Sequence, residues 1–119
     1  MKFSEKYNKV NTFGVDTTDF KYVSLKELFE ENDRDASVVY NLRGLYISHK
    51  GHYGDAPVFI TDYCFVNIPK HMTKTCVEIL DDAESINLIK ANAVGFTIYE
   101  YVDTNYNKVC YGVKFIDRE

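Results

Sequence analysis

A chain of 119 residues is sized for one domain, and a composition 45% hydrophobic and 27% charged excludes the hydrophobic-poor, highly charged profile of a disordered segment. The formal net charge of −4, from 14 Lys and Arg against 18 Asp and Glu, argues against a strongly basic nucleic-acid binder. No run of about eighteen apolar residues could span a bilayer, and Met1-Lys2-Phe3-Ser4-Glu5-Lys6 lacks a signal peptide's apolar core, so a cytoplasmic chain with no membrane partner is expected.

Residues 1–18 carry Asn8, Asn11, Gly14 and the Thr17-Thr18 pair with weak alternation, and read as an N-terminal arm or loosely attached segment ahead of a single domain over 19–119. Phe20 to Ser24 predicts a short strand. Ser24 and Glu27 have the spacing of a capping box opening a helix whose Leu25, Leu28 and Phe29 share a face, ending in the polar run Glu30 to Asp35. Ser37 to Ser48 is dense in β-branched and aromatic residues, a long strand bent or bulged at Gly44. After the glycine-punctuated connection His49 to Pro57, a second strand of period two runs from Val58 to Ile68 and completes a hairpin. Its alternation puts Val58, Ile60, Cys64, Val66 and Ile68 on an aliphatic core face and Phe59, Tyr63 and Phe65 on an opposite, open one.

Pro69 stops the sheet and opens a helical stretch from Lys70 to Lys90 with Met72, Cys76, Ile79 and Leu80 at helical spacing, interrupted at Asp81-Asp82. Phe96 to Val102 alternates again, with Phe96, Ile98 and Val102 opposed to Thr97, Tyr99 and Tyr101. The turn formers of Asp103-Thr104-Asn105-Tyr106-Asn107 lead into a last strand through Val109, Tyr111, Val113 and Phe115.

Ten Tyr and eight Phe without Trp exceed what one small core needs, and Tyr joins a flat apolar face to a hydrogen-bonding tip. The charge is uneven. Residues 75–103 set Glu78, Asp81, Asp82, Glu84, Glu100 and Asp103 against Lys90 alone, leaving a neutral-to-basic face open elsewhere. Cys64, Cys76 and Cys110 have no metal or redox spacing and read as reduced thiols.

Strand, hairpin, helix, hairpin is the order of an OB-fold, so the fold class expected is mainly β: a five-stranded Greek-key barrel with a helix between its third and fourth strands and a short extra N-terminal helix. Through Asn41-Leu42-Arg43-Gly44-Leu45-Tyr46-Ile47, Gly51 to Val58 and Gly95 to Tyr101, the chain resembles the OB-fold single-stranded-DNA-binding proteins of lactococcal and related phages, over roughly residues 37–117. The resemblance implies coating of single-stranded DNA in phage replication or recombination in the host cytoplasm, as a homo-oligomer (dimer or tetramer) in company with replication or recombination proteins. The chain ends at Ile116-Asp117-Arg118-Glu119 without the acidic, Pro-Phe-terminated tail of bacterial relatives, which puts recruitment of host proteins in doubt.

A sequence-tolerant binder of single strands needs rings for stacking and cations along a groove. Tyr46, Tyr53, Phe59, Tyr63, Phe65, Tyr99, Tyr101 and Tyr106 are the stacking candidates, and Arg43, Lys50, Lys70, Lys108 and Lys114 the phosphate candidates. A strand aromatic equally fits a core or subunit interface, and the alternative reading is an accessory module that uses the same Tyr-rich faces to inhibit a host protein. The chain is read as a non-enzyme without cofactor. His49, His52, Asp55 and His71 lack metal-ligand spacing, Asp81, Asp82 and Glu84 cannot converge on one ion from a helix, and no phosphate loop or nucleophile elbow appears.

Overall fold

The computed structural model describes residues 13–49 and 54–118 of the chain, and their fold is mainly β. Strand β1 (Lys21–Ser24) runs into helix α1 (Leu25–Glu31), followed by β2 (Tyr40–Asn41), β3 (Gly44–Ser48), β4 (Ala56–Ile60) and β5 (Cys64–Asn67). A 3-10 turn (Lys70–Met72) leads into α2 (Thr73–Leu80) and α3 (Ala83–Lys90), and the long strands β6 (Val94–Asp103) and β7 (Lys108–Asp117) end the chain.

Local chemistry accounts for several boundaries. The Glu27 amide donates to Ser24 Oγ at 3.1 Å and the Ser24 amide to Glu27 Oε1 at 3.2 Å, so the expected capping box starts α1 by satisfying two otherwise orphaned donors. Asp33 and Arg34 both take left-handed φ values and reverse the chain after that helix. The helical stretch breaks at Asp81-Asp82, as its sequence predicts.

Among the described residues the strands form two sheets, ordered β1-β5-β4-β3 and β2-β6-β7, and no closed barrel. The run expected as one strand from Ser37 to Ser48 is interrupted at Leu42-Arg43: β2 pairs antiparallel with β6, and β3 pairs antiparallel with β4 in the other sheet. The chain therefore crosses between sheets just ahead of Gly44. That glycine is required where it stands, because a Cβ there would meet the Phe13 ring at 2.9 Å. Strand β1 pairs in parallel with β5 and occupies its free edge, while β7 has no strand on its outer edge among the described residues.

The expected strand Val58 to Ile68 is also two strands. Thr61 makes the reversal: its Oγ1 accepts from the amides of Tyr63 and Cys64 at 3.3 and 3.1 Å, and its own amide donates to the Cys64 carbonyl at 3.0 Å. The turn shifts the phase of alternation, so the predicted division into an aliphatic and an aromatic face is corrected. Phe59 joins Cys64, Val66 and Ile68 in the main core, whereas Val58 and Ile60 share the opposite face with Phe65.

The main core lies between the sheets and is closed by α1, α2 and α3, with Leu28, Leu42, Leu45, Phe59, Cys76, Ile89, Phe96 and Ile98 almost fully buried. Phe59 packs edge-on to Phe96 at 5.3 Å and against Phe115 at 6.0 Å. A smaller cluster on the outer face of the four-stranded sheet is covered by Val15 and Phe20. Of the segment 1–18, residues 1–12 lie outside the described residues. Among the described residues no helix is long and apolar enough to cross a membrane.

Candidate nucleic-acid interface

Strands β6 and β7 form a ten-residue antiparallel ribbon whose register decides which side chains meet. Thr97 faces Lys114, Tyr99 faces Gly112, Tyr101 faces Cys110 and Asp103 faces Lys108, and residues paired this way project from the same side of the ribbon. The opposite side carries Phe96 and Ile98 into the core. Four expected site residues, Tyr99, Tyr101, Lys108 and Lys114, thus share one solvent-facing surface, and Tyr106 stands at its tip 79% exposed.

The rings on this surface are positioned. Tyr99 reaches across to the neighbouring strand and covers Gly112, where any Cβ would collide with its phenol ring. Tyr99 and Tyr101 lie with centroids 5.8 Å apart and planes tilted by 39°, 45% and 38% exposed. Desolvation, and then the neighbouring Cys110, Tyr99 and Asp103, push the Tyr101 phenol above its ordinary value, so it is neutral at pH 7 and puts no negative charge beside a phosphate. On the other side of the ribbon Arg34 from the α1 turn makes a close ion pair with Glu100, whose carboxylate also accepts from Tyr111 Oη at 3.3 Å. The Glu100 carboxylate is therefore already engaged on the face turned away from the rings.

Tyr101 and Lys108 also line a cleft of about 390 Å³ between the ribbon and the junctions of β1 with α1 and of β5 with the 3-10 turn. Lys26 and His71 line it too; neither is among the expected phosphate contacts, because they become neighbours only when β1 docks beside β5.

The remaining candidates lie elsewhere. Phe59 is wholly buried, and Phe65, at 9% exposure, is stacked under Tyr22 at 4.7 Å and covered edge-on by Phe20 at 5.6 Å, so both are corrected from open platform to packed interior. Tyr46 stands beside them on the outer face of the four-stranded sheet, its hydroxyl 2.9 Å from that of Tyr22; burial first, then this bond, raise its phenol far above the ordinary range. Tyr63 is exposed in the β4–β5 turn. Arg43 is held by Asp62 at 2.9 Å, and Asp62 also accepts from Asn41 Nδ2 at 2.5 Å, so this cation is neutralised at the sheet crossing. Lys70 lies against Gly54. Lys50 and Tyr53 fall outside the described residues.

Tyr22 and Gly112 escaped sequence reasoning. An isolated glycine in an otherwise β-branched and aromatic strand marks a close approach, and here that approach is the Tyr99 ring. Neither a protein family, nor a curated protein, nor a solved structure matches the chain.

Proposed function

We propose that the chain binds single-stranded DNA without sequence preference, stacking bases on Tyr99 and Tyr101 and holding phosphates with Lys108 and Lys114. The observation that carries this reading is the ribbon register, which gathers two exposed rings and two cations on one side of an extended strand pair. Bases present flat faces at regular spacing along an unpaired strand, and stacking on one Tyr is worth ~1 to 3 kcal/mol, which offsets a low count of cations. Replication or recombination of phage DNA is the setting in which such a binder would act, and a homo-oligomer the form.

The proposal extends to the fold, as an open variant of the OB barrel, and the strand succession supports it. Chain 40–48 contributes to both sheets, β4 and β5 follow it antiparallel, α2 and α3 fall between β5 and β6, and β6 pairs with both β2 and β7. We read this succession as the OB order, with β1 taking the edge of β5 at which the last strand would close the barrel.

Titration with a fluorescent deoxythymidine oligonucleotide tests the proposal: binding should quench tyrosine emission. Together Tyr99→Ala and Tyr101→Ala should weaken it by roughly 2 to 5 kcal/mol, on the order of thirty-fold or more, with the thermal unfolding midpoint little changed. A double variant that binds as the natural chain does would remove the ribbon from the mechanism.

The other face of the ribbon tip favours a second reading. Val102 and Val109 form a cross-strand pair, both about half exposed, a small apolar spot suited to a protein contact. An inhibitor of a host protein would depend on that pair and be indifferent to Tyr99.

A further inference from the structure

The cleft beneath the ribbon has a charge balance unlike that of the whole molecule. Its lining holds Lys26, His71 and Lys108 and no carboxylate, in a chain where acids outnumber bases 18 to 14. Among the described residues none of these three takes part in an ion pair. Asp103, the acid opposite Lys108 in register, accepts from the Asn105 amide at 2.9 Å. Tyr101, Pro69 and Val109 line the same cleft. Three basic side chains in a cleft that also presents Tyr101, Ile68, Pro69 and Val109, with Ser24 and Asn67 as further polar groups, match an anion attached to a flat, partly apolar body, and about 390 Å³ lies at the small end of ligand clefts, which run from roughly 300 to 1,000 Å³.

We propose that this cleft is a nucleoside-phosphate site, in which Lys26, His71 and Lys108 hold the phosphoryl oxygens and Tyr101 takes the base. It deepens the single-strand reading and rests on it for the source of the ligand: a strand lying on Tyr99 and Tyr101 passes a nucleotide into the cleft over Lys108, which belongs to both surfaces. A free nucleotide offers the same chemistry, so the experiment must separate the two sources. Lys26 and His71 are exposed and lie off the ribbon, so changing them tests the cleft without touching the rings.

Amide NMR titrations of the intact chain with thymidine 5′-monophosphate, with inorganic phosphate and with a twelve-residue deoxythymidine oligonucleotide decide the matter. The mononucleotide should shift the Ile68 and Val109 amides more strongly than inorganic phosphate does, since phosphate alone gains nothing from the aromatic wall. Lys26→Glu combined with His71→Ala should weaken mononucleotide binding about ten-fold or more and oligonucleotide binding by several-fold, with the thermal unfolding midpoint unchanged. If the mononucleotide leaves those amides unmoved, or the double variant binds it as tightly as the natural chain, the cleft proposal is overturned. Oligonucleotide binding that needs Tyr99 but ignores Lys26 and His71 would overturn the cleft and leave the ribbon standing. Mononucleotide binding that needs Lys26 and His71, in a chain that binds no oligonucleotide, would support the cleft with a free nucleotide as its ligand and end the single-strand reading.

Discussion

Single aromatic residues divide here by what lies beneath them. Tyr99 is exposed because the position across the ribbon is Gly112, whose missing Cβ leaves space for the ring to lie over the backbone. Gly112→Ala should therefore displace Tyr99 and weaken oligonucleotide binding by about 1 to 3 kcal/mol, close to the effect of Tyr99→Ala itself; parallel titrations of the two variants check it. Phe59 sits at the other extreme, buried among Phe96 and Phe115. Phe59→Ala should lower unfolding free energy by about 3 to 5 kcal/mol in urea titrations, the range for emptying an aromatic core site. Cys64 and Cys76 are buried as well, and desolvation raises both thiols, Cys76 to about 11, which keeps them protonated and inert near neutral pH.

Among the elements, α1 joins the first strand to the ribbon. Its seven residues bury Leu25, Leu28 and Phe29, Phe29 meets Tyr111 edge-on at 6.0 Å, and the turn after it delivers Arg34 to Glu100. One short helix thereby braces the inner side of the ribbon whose outer side carries the rings. A helix of two turns has little stability of its own, so its cap matters more than in a long one. Ser24→Ala removes the acceptor for the Glu27 amide and should cost about 1 kcal/mol, read as a fall of a few degrees in the unfolding midpoint. The ribbon tip is supported locally by the Asn105 amide on Asp103 and by Asn107 at a φ of 47°, a conformation that Asn tolerates better than most residues.

At the scale of the molecule, charge constrains how a negative chain could hold a polyanion. With a net charge of −4, long-range attraction is absent, and the proposed contact depends on the local surface where the ribbon's rings and cations meet. Two to four phosphate contacts on a single strand give a slope of log K against log salt of roughly −1.5 to −3. Affinity measured from low to moderate salt should follow that shallow line; a slope near zero would remove the phosphate contacts, and one steeper than about −5 would require a basic surface that the ribbon and cleft do not provide.

Local features of the sequence set much of this protein. The Ser24–Glu27 box, the helix break at Asp81-Asp82, the hairpin at 103–107 and the alternation of Phe96 to Val102 depend on neighbours within a few residues, and each is present where its spacing places it. The side chains of the ribbon were readable for the same reason: one uninterrupted strand preserves its parity. The division of Val58 to Ile68 was not readable, since the Thr61 turn changes the phase without breaking the apolar pattern, and Phe59 and Phe65 exchange an open face for a packed one. Pairings between distant segments belong to the tertiary structure alone. Only the docking of β1 beside β5 and the crossing at Leu42-Arg43 bring Lys26 and His71 to Lys108, and nothing in local propensity encodes which edge a strand will choose when several are free.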